Sequence, residues 1–348
     1  MRVRSVLNAL ATLVLLAGLI VAAVLARTPE VPLPLPPRDG PPLASAKTWG
    51  YQLQNATAGS IPDGIDLLVV DYSRDGGAGR VLSASEVAAL RVRPDGSLRI
   101  VLCYLSIGEA ESYRGYWQNG WANRPLGWLG AENPKWTGNY AVRFWEPSWQ
   151  RLIVSPGSTG DSVVQRLRLA LFPEPKTYLD TIINAGFDGV LLDRVDAYEA
   201  ALAARPQARD DMAAFVAAIS RAAKRRRPGF LIVPQNSEEL LAISVYRAAI
   251  DGVVKEDLLF GEGGEGIANH PADVRRAIGH LEFAKAAGLP VFTVEYAVIP
   301  EQRQRALDYW RDLGFTGTFA SRALNEPPAL PGGPIAPLTV PKAGPPPR

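Results

Sequence analysis

Carboxylates recur where short β-branched runs of this sequence end: Asp71, Glu109 with Glu111, Asp193 with Asp196, Glu256 with Asp257, and Glu295. Arg74, Arg194 and Lys255 are interleaved with them. Three runs share one register: Ile65-Asp-Leu-Leu-Val-Val-Asp71, Phe187-Asp-Gly-Val-Leu-Leu-Asp193 and Ile250-Asp-Gly-Val-Val-Lys-Glu256. Each has an apolar residue, an aspartate, a β-rich run, and a second carboxylate five positions after the first. Acids gathered in this way suit cleavage of a glycosidic bond. One protonated carboxyl gives a proton to the leaving oxygen, while an ionised one attacks the sugar carbon or activates water. Crowding and partial burial push their pKa values apart, which is what the two roles require. Such acids also serve structure, by pairing with Arg and Lys or capping helices. That use explains Asp75, Asp196 and Asp257 better. Asp71, Asp193, Glu256 and Glu295, all at strand termini, are read as functional.

Other chemistries have less to work with. The chain has two histidines, His270 and His280, and neither lies in a metal-binding or triad motif. No ligand spacing for a metal accompanies the acids, and no cofactor is expected. The single cysteine, Cys103, sits in the apolar run Arg99-Ile-Val-Leu-Cys-Tyr-Leu and reads as a small core residue, with no internal disulfide available. A net charge of +2 does not ask for nucleic acid.

The carboxylates need strands to hold them. A short apolar run bounded by turn residues reads as a buried parallel strand. Period-two alternation puts Gly189, Leu191 and Asp193 on one face, and Gly252, Val254 and Glu256 likewise. Eight strands are expected: Trp49–Gln54, Asp66–Asp71, Arg99–Leu105, Asp188–Asp193, Phe230–Gln235, Asp251–Glu256, Pro290–Glu295 and Gly317–Ser321. Glycines in Ala185-Gly-Phe, Ala287-Gly-Leu and Leu313-Gly-Phe mark helix ends between the later strands. Alternating strand and helix implies a parallel sheet, and eight strands favour a closed (β/α)₈ TIM barrel, whose active site lies at the strands' C-terminal ends. An open doubly wound sheet is the alternative, but no G-x-G-x-x-G follows the first strand. The third strand leads into an aromatic-rich insertion, roughly residues 107–173, which holds Trp117, Trp121, Trp128, Trp136, Trp145 and Trp149. Packing is the ordinary role of such rings, and lining a sugar cleft is the other.

The ends lie outside this α/β fold. Arg2 and Arg4 precede the apolar run Val6–Ala26. Its length favours an uncleaved membrane anchor over a signal peptide, with the bulk of the chain outside the cytoplasm. The expected organisation is an anchor or signal over residues 1–27, a proline-rich linker over 28–46 and a barrel over 47–326. A proline-rich tail over 327–348 completes it. The linker reads as an extended spacer without packing.

Six motifs in order, Trp49-Gly-Tyr-Gln-Leu-Gln, Val70-Asp-Tyr-Ser, Leu102-Cys-Tyr-Leu-Ser-Ile-Gly-Glu-Ala-Glu, Gly189-Val-Leu-Leu-Asp-Arg-Val-Asp, Val233-Pro-Gln-Asn-Ser-Glu-Glu-Leu and Val253-Val-Lys-Glu-Asp, resemble glycoside hydrolase family 114, the endo-α-1,4-polygalactosaminidase-like group. The resemblance implies a (β/α)₈ barrel outside the cytoplasm that cuts cationic α-1,4-linked galactosamine polymers with two carboxylates. On this sequence those are Asp193, taken as nucleophile, and Glu256, taken as acid/base. The register argument selects the same two. Gln54, Asp71, Tyr72, Glu109, Asp196, Asn236, Glu295 and Tyr296 are the expected substrate-binding residues. A non-catalytic glycan-binding or envelope scaffold on the same barrel is the competing reading.

Overall fold

A computed structural model describes residues 35–154, 176–264, 266–296 and 299–330. Eight parallel strands follow one another in chain order: β1 (Trp49–Tyr51), β2 (Leu67–Val70), β3 (Ile100–Ser106), β7 (Gly189–Asp193), β8 (Leu231–Pro234), β9 (Val253–Glu256), β10 (Val291–Glu295) and β11 (Thr316–Phe319). Ladders join β1-β2-β3-β7-β8 and β9-β10-β11, and a parallel bridge from Gln235 to Val254 links the two groups. β11 returns beside β1 without a ladder between them among the described residues. There Leu53 N–H, just past β1, donates to the Leu324 carbonyl, just past β11, at 2.7 Å, and the indole Nε1 of Trp49 donates to the Thr293 carbonyl of β10 at 3.1 Å. The expected barrel architecture is present, with strands somewhat shorter than the sequence runs.

Alternation sorts each strand into two faces. Trp49, Tyr51, Leu67, Val69, Ile100, Leu102, Tyr104, Leu191, Val233, Val254, Phe292, Val294 and Tyr296 pack together inside the ring. Their sequence neighbours, such as Leu68, Val70, Val101, Cys103, Val190 and Leu192, pack outward against the helices. Cys103 is buried there, as expected of a core thiol. The long helix Ala208–Arg226 shows why these segments become a helical layer. Met212, Phe215, Val216, Ile219 and Ala223 form its buried stripe, with Asp210 and Asp211 in the first turn and Lys224, Arg225 and Arg226 in the last, complementing the helix dipole. Gly186, Gly288 and Gly314 adopt positive φ at the helix ends, as read from the sequence.

The insertion folds as its own small antiparallel sheet, in the order β4 (Glu109–Glu111), β6 (Asn139–Val142), β5 (Leu129–Glu132), followed by the helix Pro147–Ile153. Trp121, Trp128 and Trp149 are buried in an edge-to-face and tilted series. Trp117 and Trp145 are partly buried against the same core. Trp136 alone of the six stands out, 57% exposed.

One expectation is corrected. The proline-rich stretch is packed from residue 35 onward. Leu35 N–H donates to the Arg226 carbonyl, Arg38 N–H to that of Pro228, and Leu43 and Ala46 are buried in the ring interior. Isolated prolines leave room for apolar residues between them, and Leu43 fills the open lower end of the barrel. Among the described residues no helix is long and apolar enough to cross a membrane. The run Val6–Ala26 lies outside those residues.

Candidate active site

The strand ends that carry the candidate acids are also where the backbone is most constrained. Arg194, Asn236, Ser237 and Asp257, directly after β7, β8 and β9, all adopt the left-handed region, with φ between 52° and 58°. Non-glycine residues rarely do so, and such strain gathers at functional sites. Gly108 allows the insertion to approach this rim, since a Cβ there would stand 2.1 Å from the Arg194 carbonyl oxygen.

Asp193 and Glu256 both point into the barrel mouth, as their shared register requires. Gln235 bridges them: its Nε2 lies 3.2 Å from Asp193 Oδ1 and 3.0 Å from Glu256 Oε2. Those two oxygens are therefore within about 6.2 Å of each other. Tyr104 Oη donates to Asp193 Oδ2 at 2.7 Å. Glu256 receives Tyr296 Oη on Oε1 and Asn236 Nδ2 on Oε2 at 3.2 Å, while its own N–H donates to Asn236 Oδ1 at 3.0 Å. Tyr51 completes the aromatic wall. Burial and the neighbouring carboxylates push the Tyr51, Tyr104 and Tyr296 phenols well above their ordinary values, so they remain donors.

Burial, then the charge of Glu256, pushes Asp193 up to about 7. Burial also raises Glu256, against the opposing effect of the Tyr296 hydrogen bond. A buried carboxyl pair this close holds a proton into the neutral range, and the pair titrates as a unit.

The remaining expected residues fall into two groups. Asn236 and Tyr296 contact Glu256 directly. Asp71 faces inward, but Arg114 Nη1 holds both of its oxygens at 2.7 Å, and Arg114 Nε and Nη2 hold Glu111 at 2.7 and 3.1 Å. Glu109 accepts from Asn133 at 2.9 Å and Asn139 at 3.2 Å and pairs with Arg194 at 3.3 Å. Asp196 pairs with Arg194 at 3.2 Å. Gln54 is half-buried at the rim, its N–H bound to the Leu324 carbonyl.

Tyr72 and Glu295 are not brought to the pair. Both occupy the outward phase of their strands. Tyr72 packs edge-on against Tyr178 in the helical layer. Glu295 is fully buried, and its oxygens accept the Leu259 and Phe260 N–H groups at 2.8 and 3.2 Å. It pins the loop after β9, and burial pushes it up to about 8. Both residues adjoin one that does face inward, Asp71 and Tyr296, and a one-residue step reverses the face.

Sequence reasoning missed Tyr51, Tyr104, Gln235, Arg114 and Arg322, the last stacked on the Tyr296 ring 4.5 Å from its centre. The inward phase of Asp193 and Glu256, extended to the ends of β1, β3 and β8, would have found the first three. Nothing local marks the two arginines. Among the described residues no three histidine, cysteine or carboxylate side chains are grouped closely enough to hold a metal ion.

Comparison with known proteins supplies the family. The model of glycoside-hydrolase family GH114 matches residues 34–333. A protein of Deinococcus radiodurans is 33% identical over 306 residues, covering 86% of this chain and 88% of its own length. One from Methanocaldococcus jannaschii is 34% identical over 258 residues, covering 71% and 66%. Among solved structures, the glycoside hydrolase domain of PelA from Pseudomonas aeruginosa shares the fold. Its TM-score is 0.57 at 20% identity, over 82% of this chain and 98% of that one. A family match across nearly all of the described fold establishes that this chain belongs to glycoside-hydrolase family GH114.

Proposed function

We propose that the protein is an endo-acting glycosidase of cationic amino-sugar polymers, with α-1,4-linked galactosamine as the favoured residue, working by a retaining mechanism. The observation that carries this reading is the Asp193–Glu256 pair, joined through Gln235 at the barrel mouth. Its two bridged oxygens lie within about 6.2 Å. That places both acids within reach of one glycosidic bond, and the family resemblance, more than the spacing, favours a retaining pair, whose carboxyl groups stand about 5–5.5 Å apart, over an inverting one at roughly 6.5–9.5 Å. Asp193 attacks the anomeric carbon and Glu256 protonates the leaving oxygen. Glu256 then takes a proton from the water that releases the product. An ammonium group on a bound sugar favours the ionised form of Asp193, offsetting the repulsion from Glu256.

The hydrogen bonds favour a second order of roles. Glu256 accepts three side-chain donors that stabilise its carboxylate, while burial and the charge of Glu256 push Asp193 up to about 7. Azide rescue separates the two. In Asp193→Ala, azide entering on the vacated face gives a glycosyl azide of inverted configuration if Asp193 is the nucleophile. A retained product assigns the acid/base role to it.

The substrate reading is tested by incubating the protein with partly deacetylated galactosaminogalactan, chitosan and an α-glucan, then weighing the released oligomers by mass spectrometry. Oligomers from the first alone are expected; release from the glucan alone would sink it. The reading includes membrane attachment through residues 6–26, with the barrel outside the cytoplasm. Leu35, the first described residue, lies at the end of the barrel away from the pair. An anchor joined there leaves the mouth facing away from the bilayer. Recovery of the intact chain in the cytosolic fraction would reject this part.

A further inference from the structure

Arg322 follows β11 and lies across the rim from β7. Its Nη2 pairs with Asp257 Oδ2 at 2.7 Å, and its guanidinium carbon sits 4.5 Å from the centre of the Tyr296 ring. Tyr296 in turn gives its phenol hydrogen to Glu256. Three features make this a built arrangement. Asp257, directly after Glu256, adopts the left-handed region, and its carboxylate accepts from Arg322. Gly261 leaves the space the pair occupies: a Cβ there would fall 2.4 Å from Asp257 Oδ1 and 2.7 Å from Arg322 Nη2. The stacked face of Arg322 covers a phenol ring that is itself only 4% exposed.

We propose that Arg322 is a positioning residue for hydrolysis, clamped by Asp257 over the Tyr296 ring so that the Tyr296 phenol is held on Glu256. The inference rests on the assignment of Asp193 and Glu256 as the reacting pair. Arg322 touches neither carboxylate of that pair. It acts through the ring it stacks on and through its charge.

The groups that face Glu256 come from every neighbouring strand end. They are Asp193 on β7, Gln235 and Asn236 after β8, Asp257 after β9, Tyr296 after β10, Tyr51 on β1 and Arg322 after β11. Arg322 supplies the cation nearest to Glu256 in this set and favours its ionised form. Removing that charge therefore raises the proton affinity of Glu256 and moves its limb of the pH–rate profile to higher pH. Removing the stack lets the phenol swing and lowers turnover without weakening substrate binding.

The test uses the full chain and a polysaccharide that the parent demonstrably cleaves. Arg322→Met is expected to reduce kcat by about tenfold with KM within about twofold, as for a lost orienting contact. The limb that belongs to Glu256 should rise by about half a pH unit. Arg322→Lys keeps the charge but not the flat face, so it should restore the limb while kcat stays low. It also serves if the methionine variant does not fold. Adding Tyr296→Phe to Arg322→Met should cost no more than Tyr296→Phe alone, because both act on one contact. Parent-like kcat and profile in Arg322→Met overturn the proposal. So does a rise in KM alone, which would make Arg322 a direct substrate contact, and so do losses that multiply in the double variant. Asp193→Asn and Glu256→Gln serve as controls. If they stay active, the reacting pair is wrong. If they are inactive while Arg322→Met matches the parent, only the role of Arg322 falls.

Discussion

At the scale of single residues, the site is a pair of acids made reactive by what surrounds them. Asp193→Asn and Glu256→Gln each remove one half of the pair at nearly constant volume. Turnover should fall by about 10²–10⁴-fold, the usual worth of a positioned acid or base. Because Asp193 is buried beside another carboxylate, its charged form is costly, so Asp193→Asn should unfold at a temperature no lower than the parent at pH 8. Loss of activity accompanied by loss of the folded signal would mean that the residue holds structure instead. Tyr104→Phe makes a subtler test. The phenol donates to Asp193 at 2.7 Å and favours its carboxylate. Its removal should raise the proton affinity of Asp193 further, shift that limb of the pH profile upward and lower kcat/KM about tenfold, the worth of one hydrogen bond to a charged group. An unmoved limb would show that the contact does not bear on the acid.

At the scale of elements, the insertion after β3 is locked down by one arginine. Arg114 reaches from the insertion to Asp71 at the end of β2 and to Glu111 on β4, with tyrosines 72, 104, 113 and 178 around its guanidinium. The small sheet is thereby held against the barrel mouth. Its aromatic residues divide by burial, and substitution should follow that division. Trp128→Ala opens a hole between Trp121 and Trp149 and should cost about 3–5 kcal/mol in urea unfolding. Trp136→Ala removes an exposed ring and should stay within about 0.5 kcal/mol of the parent. Trp136 is the most exposed of the six rings; if it stacks on sugar, its loss should raise KM and quench the fluorescence change on adding oligosaccharide. An unchanged KM would remove Trp136 from the cleft.

At the scale of the whole molecule, buried acids should govern how stability varies with pH. Asp193 and Glu295 are pushed up to about 7 and about 8 in the folded protein, from ordinary values of 3.8 and 4.5. Between those limits the native state holds protons that the unfolded chain releases, so stability is full at the acidic end and falls as pH rises. The slope is at most about 1.4 kcal/mol per pH unit for each group. Urea midpoints measured from pH 5 to pH 9 should decline, and Glu295→Gln should flatten the upper part of that decline. A rising curve would contradict the burial argument. The lower end of the barrel carries a separate prediction. A chain that begins at Lys47 loses Leu43 from the ring interior and the contacts of Arg38 and Asp39 with Asp188, Arg91 and Arg227. It should unfold at lower urea than one beginning at residue 35, by about 2–5 kcal/mol for the leucine alone. Equal midpoints would return the stretch to the role of a spacer.

Local pattern was enough for the strands, their parallel order and the pairing of Asp193 with Glu256. The reason is that an apolar run with an aspartate at its start and a carboxylate at its end carries its own phase. Wherever such a run becomes a strand, the alternation of the backbone decides which side chains share a face. The same pattern could not say where that phase ends. Glu295 and Tyr296 are adjacent in sequence, yet only the tyrosine reaches Glu256, because the strand keeps its alternation to its last residue and turns the glutamate outward. Nor could it find Arg114 or Arg322. Each comes from a loop whose local sequence names no partner, and each meets its carboxylate only when the ring brings distant strand ends together. The packing of Leu43 is of the same kind. A proline-rich run looks like a spacer until a barrel with an open lower end gives its leucine a place to be buried.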